Sequence, residues 1–353
     1  MSEKSRLTID QIALLAGVSR SVVSRVLNNR SRVSTEARTR VLEIIEKYNY
    51  RPSSVARSLA TDRTFEICIV TPRRRNEAIA NGFWPLLHLG ISEQCIERGY
   101  FVSLTMISSD TADEIYDRIL NERVFDGYIL ITQEVTETLI PKLRARTVPI
   151  VLIGQDPSLP DVNSIDVDNF DGAYKATSHL IELGFDRIGV ILASMHLQES
   201  IDRYRGYTQA LTDAGLEAPD TRAFVSSYSE ESGYEVMKRW IEQGTLPPAI
   251  FCASDAIATG VLLALYRSGI AVPDDVAVVG FDDLPNARYT APPLTTVHQP
   301  IYEKGQRAAN IIIDQIEGVR SDVVHVRLPA ELVVRDSCGA MKRMPGKVES
   351  RID

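Results

Sequence analysis

The segment from Thr8 to Asn28, Thr-Ile-Asp-Gln-Ile-Ala-Leu-Leu-Ala-Gly-Val-Ser-Arg-Ser-Val-Val-Ser-Arg-Val-Leu-Asn, constrains the fold more than any other part of the chain. Thr8 and Gln11 have the spacing of a capping box, which satisfies the leading amides of a helix. Gly17 can adopt the left-handed conformation that ends this helix, and Ser19 can cap the next one. The segment therefore predicts two short helices joined by a tight turn.

Each of these two helices has one apolar face. The residues expected to point inward are Ile9, Ile12, Ala13 and Ala16 in the first helix and Val22, Val23 and Val26 in the second. Arg20, Ser21 and Arg25 remain on the outer face of the second helix. A helix-turn-helix has this pattern when its second helix enters a DNA major groove. The alternative is an ordinary helical hairpin with a solvated basic face.

The residues that follow favour the DNA-binding alternative. Ser34 or Thr35 can cap a third helix that reaches about residue 48. Its expected buried stripe consists of Ala37, Val41, Ile44, Ile45 and Tyr48. Pro52 then interrupts the chain before a helix of barely two turns. Because so short a helix is marginal in water, we expect it to form only against its copy in a second subunit or a DNA minor groove.

Charge separates the first 60 residues from the rest of the chain. They contain eleven basic and five acidic residues, a net charge of +6, whereas the whole chain carries −8. Residues 61–353 therefore carry −14. This asymmetry is typical of a small basic domain that attracts phosphates while an acidic body stays away from DNA.

The segment from Leu7 to Ala60 closely resembles the headpiece and hinge of the LacI/GalR family of bacterial transcription regulators. The resemblance rests on the three helices, on the run from Val18 to Asn28 and on the pattern Pro-x-x-x-Ala-x-x-Leu at 52–59. It implies a homodimer that binds a palindromic operator in double-stranded DNA. The implied DNA-binding residues are Thr8, Ser19, Arg20, Ser21, Ser24, Arg25, Asn28, Ser34, Tyr50, Ala56, Arg57 and Leu59.

The resemblance also assigns roles within this set. Arg20 and Arg25 would meet base edges, where a guanidinium can bond guanine O6 and N7 together. Leu59 of each hinge helix would wedge into a central minor-groove step, and the cost of unstacking is offset by contacts with the bent duplex. Val22 stands where the family usually has a threonine, so a phosphate contact from that hydroxyl would be missing.

The rest of the chain alternates short apolar runs with amphipathic stretches, a pattern of parallel sheets covered by helices. The predicted strands are Glu66–Thr71, Phe101–Met106, Gly127–Ile131, Ile150–Ile153, Ile188–Ile191, Ala249–Cys252 and Ala277–Gly280. The predicted helices include Leu86–Glu97, Ala112–Asn121, Phe170–Leu183 and Ile257–Ser268. Two such sets in series predict an α/β fold with two doubly wound lobes, whose ligand binds outside the carboxyl ends of the strands.

This body, from about Thr64 to Gly339, resembles the periplasmic-binding-protein-like regulatory domain of the same family. The motifs that carry the resemblance lie at 124–127 (Val-Phe-Asp-Gly), 167–173, 179–188, 203–207 (Arg-Tyr-Arg-Gly-Tyr), 254–260, 279–283 (Val-Gly-Phe-Asp-Asp) and 292–297. The implied domains are a headpiece at 1–52, a hinge helix at 53–62, a two-lobed domain at 63–339 and a polar tail at 340–353. Lobe 1 would comprise about 64–167 and 299–328, and lobe 2 about 168–297 and 330–339. The chain would cross between the lobes near Asn169, His298 and Pro329.

The resemblance further implies an effector in the cleft between the lobes. The implied effector-binding residues are Trp84, Gln155, Asp168, Arg203, Tyr228, Ser254 and Asp282. Arg203 and Asp282 can hold adjacent sugar hydroxyls by charge-assisted hydrogen bonds, and Trp84 or Tyr228 can pack on the apolar face of a ring. The alternatives are an ion pair that only stabilises the lobes and a core or interface position for Trp84.

Three arginines, Arg73 to Arg75, follow the first predicted strand. A solvated loop is the favoured interpretation, because charge runs are usually exposed. The alternative is a contact with an acidic group on the effector.

Other functional classes receive little support. The chain contains no Gly-x-Ser-x-Gly, no Gly-x-x-x-x-Gly-Lys and no His-Glu-x-x-His, so we expect no enzyme. The four cysteines lack metal or redox spacing, which predicts reduced thiols of a cytoplasmic protein with no metal and no cofactor. A secreted solute-binding protein is disfavoured by the basic head and the polar first residues. No apolar stretch approaches the roughly 20 residues that span a bilayer, so we expect no membrane partner.

The sequence therefore predicts an effector-controlled transcription regulator, most simply a dimeric repressor. Effector binding would change the angle between the lobes and thereby the ordering of the hinge helices. A sugar-like pocket favours induction, with a coupling of ~1–3 kcal/mol. A corepressor-type regulator with a non-sugar effector is the alternative.

Overall fold

The structure, a computed structural model, describes residues 7–27, 33–48, 50, 63–72, 82–107, 124–131, 136–218, 221–225 and 227–343. The chain divides into two compact units, Met1–Phe65 and Glu66–Asp353. Several predicted features lie outside the described residues: the hinge helix at 53–62, the helix Ala112–Asn121, the arginines at 73–75, and the DNA-binding positions Asn28, Ala56, Arg57 and Leu59.

The described part of the first unit contains three helices, α1 (Ile9–Ala16), α2 (Arg20–Leu27) and α3 (Thr35–Lys47). Both halves of the predicted capping box are present. The Gln11 amide donates to Thr8 Oγ1 at 3.3 Å, and the Thr8 amide donates to Gln11 Oε1 at 2.7 Å. Gly17 follows α1 with a left-handed φ of 64°. These contacts confirm the predicted helix-turn-helix.

The core of this unit follows the predicted apolar faces, with one exception. Its buried residues are Ile12, Ala13, Ala16, Val23, Val26 and Val41. The prediction was wrong for Tyr48, whose surface is 45% exposed. Tyr48 is the C-cap of α3, with φ near −104°, so the backbone leaves the helical path there and the ring leaves the buried stripe.

Two six-stranded sheets form the described part of the second unit. The strands are β1 (Glu66–Pro72), β2 (Phe101–Ile107), β3 (Gly127–Ile131), β4 (Ile150–Ile153), β5 (Asn163–Val167), β6 (Ile188–Leu192), β7 (Arg222–Phe224), β8 (Ala249–Cys252), β9 (Ala277–Asp282), β10 (Thr295–His298), β11 (His325–Leu328) and β12 (Glu331–Val333). The first sheet has the order β11-β5-β4-β3-β1-β2, and the second has the order β12-β10-β9-β8-β6-β7. Every pairing is parallel except that of β10 with β12. All seven predicted strands are confirmed.

Helices pack on both sheets. They are α4 (Phe83–Glu97), α5 (Thr136–Arg144), α6 (Asn169–Glu182), α7 (Gln198–Asp213), α8 (Glu230–Glu242), α9 (Asp255–Arg267), α10 (Ile301–Glu317) and α11 (Ala340–Arg343). The last of these begins at Ala340, which is fully buried in the same core cluster as Cys338.

Glycine allows the closest approaches between helices. A Cβ at Gly90 of α4 would lie 2.1 Å from the carbonyl oxygen of Tyr302 in α10. A Cβ at Gly206 of α7 would lie 2.2 Å from the carbonyl oxygen of Phe170 in α6. Both contacts involve backbone, which cannot move aside as a flexible side chain can, so only glycine fits at either position.

The chain passes between the two sheets three times. It leaves the first sheet after β5, returns after β10, and leaves again between β11 and β12. Each sheet with its helices forms one lobe, and the crossings place residues from both lobes side by side. The domain boundaries expected from the sequence stay predictions.

Candidate DNA interface and ligand cleft

Helix α2 presents a polar and basic surface in the first unit. Arg20, Ser21 and Arg25 are exposed, whereas Val23 and Val26 on the opposite face are buried. The Ser21 hydroxyl lies 2.8 Å from the hydroxyl of Ser19. Arg20 forms only a loose ion pair with Asp10 at 3.6 Å, and both side chains are about two-thirds exposed. Since an exposed pair of this kind is worth little, Arg20 can exchange it for a contact with DNA.

Two of the predicted DNA-binding residues, Thr8 and Ser34, lie at helix N-termini. Thr8 caps α1, and Ser34 caps α3 by accepting a hydrogen bond from the Ala37 amide at 3.3 Å. The amides and dipole of a helix N-terminus favour phosphate oxygens. Tyr50 is partly buried, and burial together with the charge of Asp10 raises the pKa of its hydroxyl. Ser24 is partly buried on α2.

In the second unit, Arg203 is a buried cation between two aromatic rings. The residue is 5% exposed, and its guanidinium carbon lies 3.8 Å from the ring centre of Phe281 and 5.7 Å from that of Tyr228. Nε donates to Asn169 Oδ1 at 2.9 Å, and NH1 donates to the carbonyl oxygen of Ala253. A buried cation held by aromatic faces and neutral oxygens keeps its charge available for a hydroxyl-rich ligand.

Asp282 lies beside this cation at the end of β9. Its carboxylate accepts a hydrogen bond from Gln299 Nε2 at 2.6 Å, and its own backbone has a φ of 129°. This conformation favours glycine, so a strained backbone holds the carboxylate in place. Burial raises the pKa of Asp282 to about 6, although the charge of Arg203 opposes the shift.

A second buried carboxylate, Asp255, opposes Asp282 electrostatically. It accepts hydrogen bonds from Thr296 Oγ1 at 2.5 Å and from the Leu284 amide at 2.8 Å. Burial raises the pKa of Asp255, and the negative charge of Asp282 raises it further. Two carboxylates that disfavour each other's charge make this wall of the site sensitive to protonation.

A chain of buried polar side chains links the two lobes. Lys304 is 2% exposed, and its Nζ lies 3.0 Å from Asp166 Oδ1 and 3.0 Å from Gln299 Oε1. Asn169 Nδ2 donates to Asp166 Oδ2 at 2.8 Å, and Asn169 Oδ1 accepts from Arg203. The polar chain therefore runs from Asp282 through Gln299, Lys304, Asp166 and Asn169 to Arg203. We call it the interlobe chain.

Four members of the interlobe chain were not predicted from the sequence as ligand-binding residues, and one of them, Asn169, was named only as a crossing point between the lobes. Asp166 and Gln299 stand beside recognised motifs, and Lys304 has the appearance of an ordinary solvated helix lysine. The signal that was present is their position at the predicted crossings, where side chains of both lobes meet.

Two further predicted residues, Tyr228 and Ser254, have defined partners. The Tyr228 hydroxyl lies 3.1 Å from that of Ser200, and burial raises its pKa. Ser254 is 2% exposed and caps α9, since its Oγ accepts from the Ile257 amide at 3.1 Å. Tyr228 therefore joins the Arg203 cluster, whereas the Ser254 side chain is used by the helix.

Gln155 and Asp168 lie together beside Arg327. The NH2 group of Arg327 donates to Gln155 Oε1 at 3.1 Å, and its NH1 group lies 3.7 Å from Asp168 Oδ2. Asp168 also caps α6 through the Asp171 amide at 3.0 Å. The two predicted residues line a cavity of about 270 Å³ together with Asp166, Val167, Asn169, Phe170, Asp202, Arg205 and Arg327.

Trp84 belongs to an aromatic group on α4. Its ring meets that of Phe83 edge-on at 5.3 Å between centres and lies 6.4 Å from the ring of His88. Lys304 Nζ is 5.6 Å from the ring centre of Phe83. The group therefore connects to the interlobe chain through Phe83, and an effector contact by Trp84 stays a prediction.

Comparison with known proteins agrees with this arrangement. Residues 8–53 match the profile "Bacterial regulatory proteins, lacI family", and residues 177–338 match "Periplasmic binding protein-like domain". The HTH-type transcriptional repressor PurR of Haemophilus influenzae (strain PittEE) is 34% identical over 337 residues, which cover 94% of this chain and 98% of that protein. The chain belongs to the LacI family. The regulator CelR of Thermobifida fusca is 33% identical over 339 residues, covering 96% of this chain and all of CelR.

Solved structures of LacI-family proteins share the whole architecture. A complex of CelR with cellobiose has a TM-score of 0.73 and 30% identity, covering 94% of this chain and 100% of that chain. The lac repressor dimer bound to operator and the anti-inducer ONPF has a TM-score of 0.79 and 26% identity, covering 95% and 99%. This LacI-family member is thus a DNA-binding transcription regulator with a ligand-binding domain, not an enzyme. Among its described helices, none combines the length and apolar character needed to cross a bilayer.

Proposed function

We propose that this LacI-family member is a homodimeric cytoplasmic repressor controlled by a sugar or sugar derivative. Each headpiece binds one half of a palindromic operator, and the ligand in the cleft between the lobes releases the DNA. The observation that carries the ligand half of the proposal is the interlobe chain. Its hydrogen bonds, which come from residues of both lobes, hold Arg203 and Asp282 in buried positions.

The DNA half of the proposal is supported by the surface of α2. Arg20, Ser21 and Arg25 are exposed while the opposite face of the helix is buried. Guanidinium groups on a helix that enters the major groove can read guanine. The net charge of +6 in residues 1–60 supplies the attraction to phosphate that such binding requires.

The charged and aromatic side chains around Arg203 are suited to binding a sugar. Arg203 can donate to one hydroxyl and Asp282 can accept from its neighbour, and Tyr228 and Phe281 offer aromatic surface beside them. The CelR structure, which contains cellobiose, shows that this architecture can hold a saccharide in a relative.

A homodimer is supported by exposed apolar residues. Leu263, Tyr266 and Tyr289 of the second lobe are 44%, 80% and 82% exposed. Phe101 and Leu104 lie on β2, an edge strand of the first sheet, and are 64% and 45% exposed. These exposed side chains are candidates for contact with a second copy of the chain. The lac repressor structure that shares this fold is a dimer on its operator.

Selection of DNA by the purified full chain tests the proposal. A library of random duplexes is expected to yield a palindromic sequence, with an affinity that falls linearly with the logarithm of salt concentration. Adding glucose, galactose, ribose or cellobiose then tests the control by ligand, and at least one of them is expected to weaken binding. Failure to prefer any sequence over random duplex would contradict the regulator assignment. Tighter binding in the presence of a ligand would replace induction by corepression.

A further inference from the structure

An open groove extends from the interlobe chain toward solvent. It has a volume of about 270 Å³, and its lining includes Gln155 from the end of β4, Arg327 from β11, Phe170 from α6, and Asp202 and Arg205 from α7. The first two belong to lobe 1 and the other three to lobe 2. Sequence reasoning assigned a role to Gln155 and Asp168, and nothing assigns one to Phe170, Asp202, Arg205 or Arg327.

The groove shares two lining residues with the interlobe chain. Asp166 and Asn169 both line it. The same two side chains belong to the interlobe chain, since Asn169 Oδ1 accepts from Arg203 Nε at 2.9 Å and Asp166 accepts from Asn169 at 2.8 Å. A ligand held by Arg203 and Asp282 would therefore lie next to the groove, with Asp166 and Asn169 between the two places.

Charge in the groove argues against an anionic ligand. The lining contains three aspartates and two arginines, so its formal charge is −1. Both arginines are already paired with carboxylates: Arg205 NH1 lies 3.3 Å from Asp202 Oδ1, and Arg327 NH1 lies 3.7 Å from Asp168 Oδ2. Those acids would repel a phosphate or carboxylate, whereas they can accept hydrogen bonds from a neutral polyol.

Polar groups in the groove suit neighbouring hydroxyls. A guanidinium can donate to one hydroxyl while an adjacent carboxylate accepts from the next, and the groove contains two such pairs. The side chains of Arg205 and Arg327 are 67% and 56% exposed, so little is lost when their ion pairs rearrange around a ligand. Phe170 supplies an aromatic surface for the apolar face of a sugar ring.

Size indicates one ring in the groove. Pockets for whole small ligands measure roughly 300–1,000 Å³. At about 270 Å³ the groove lies near the lower end of that range, which suits a small group such as a single sugar ring.

We infer that this groove is an outer subsite that binds the second ring of a neutral disaccharide or longer oligosaccharide, whose first ring lies against Arg203 and Asp282. The inference rests on the proposed function, because it extends the effector site proposed there. A ring in the groove contacts Gln155 and Arg327 of one lobe and Phe170 and Arg205 of the other. Because the outer ring contacts both lobes, its binding favours one angle between them.

Calorimetric titration of the full chain with matched sugars tests the inference. The probes are glucose with cellobiose and maltose, and galactose with lactose. At least one disaccharide is expected to bind ten times or more tightly than its constituent monosaccharide. The Phe170→Ala variant is expected to lower the ratio of disaccharide affinity to monosaccharide affinity at least tenfold. Arg205→Ala tests the same ratio independently and is also expected to lower it. Arg187→Ala removes an exposed charge just before β6 and serves as the matched control, with an unchanged ratio expected.

Three outcomes would overturn the inference. If a monosaccharide binds as tightly as every disaccharide, the groove does not bind a second ring. Equal loss of mono- and disaccharide affinity in both groove variants would assign those side chains a general structural role. If the chain binds none of these sugars, the proposed oligosaccharide ligand is wrong. The regulator assignment is tested separately, by DNA selection without ligand, and would stand.

Discussion

Lys304 and Asp166 form a buried ion pair where the two lobes meet. Lys304 Nζ lies 3.0 Å from Asp166 Oδ1, and the two side chains are 3% and 9% exposed. Each has further partners, Gln299 for the lysine and Asn169 for the aspartate. Because Lys304 lies in the first turn of α10 of lobe 1 and Gln299 follows β10 of lobe 2, this pair lies beside a crossing of the chain between the lobes.

Removing Lys304 alone is expected to be costly. Lys304→Met leaves the Asp166 carboxylate buried without its cation, which lowers the free energy of unfolding by about 3–5 kcal/mol. Urea unfolding of the full chain measures this loss. The double variant Asp166→Asn with Lys304→Met removes both charges and is expected to recover part of the lost stability.

Arg307→Ala, which breaks an exposed pair with Glu303 on the same helix, is the control, with a change below about 1 kcal/mol. A Lys304→Met loss no larger than the control would contradict the role of the pair.

The pair of His298 and Asp283 is expected to make stability depend on pH. Their side chains lie 3.0 Å apart, and the hydrogen bond to Asp283 raises the pKa of His298 above its usual value near 6.5. A histidine with a raised folded-state pKa stabilises the fold fully below its unfolded pKa and loses that contribution as pH rises through the folded value. The free energy of unfolding is therefore expected to fall between pH 6 and pH 8.

His298→Gln is the variant that checks this dependence. It is expected to flatten the change between pH 6 and pH 8. Identical slopes in wild type and His298→Gln would show that other groups cause the dependence.

Arg25 is expected to contribute to sequence specificity. Arg25→Ala removes a guanidinium from the exposed face of α2, so operator affinity falls by about 1–3 kcal/mol and discrimination at one base pair relaxes. Arg40→Ala, at an exposed position on α3, removes the same charge and is expected to weaken binding equally for all sequences. Gel shifts on the selected operator and on single-base variants measure both effects. An Arg25→Ala variant that keeps full discrimination would exclude a base contact.

Gly90 is expected to tolerate no side chain. An added Cβ would lie 2.1 Å from the Tyr302 carbonyl oxygen, so Gly90→Ala forces α4 and α10 apart. We expect a loss of roughly 1–3 kcal/mol in the free energy of unfolding, the usual cost of overpacking. Ser92→Ala on the same helix is the control. Wild-type stability of Gly90→Ala would show that the two helices are less closely packed than described.

The features predicted correctly from the sequence are those set by residues close together in the chain. The capping box of Thr8 and the left-handed turn at Gly17 are local, and both are confirmed. Strands with continuous apolar runs, such as β3 and β4, were also predicted correctly. The strand Asn163–Val167 was missed because its polar residues have partners far along the chain, for example Asn163 with Gln315. The strands β11 and β12 are short and lie at a crossing, where no apolar run marks them.

The same distinction applies to the site. Arg203 and Asp282 were named through motifs that resemble a known family, and the structure places them at the two ends of the interlobe chain. Lys304 carries no such motif, and a lysine on an amphipathic helix is normally solvated. Its burial follows only from the packing of α10 beneath the lobe junction. That packing depends on contacts between residues more than a hundred positions apart, such as Lys304 with Asp166.

The most direct test of the central claim is the affinity of the full chain for its selected operator, measured with and without each sugar that binds it. Ligand binding in the cleft is expected to weaken operator affinity about 5- to 150-fold, the range of a typical allosteric coupling. Asp282→Asn is expected to raise the sugar concentration needed for half-maximal release at least tenfold. An operator affinity that stays the same at saturating concentrations of every sugar that binds would contradict the claim that the cleft controls DNA binding.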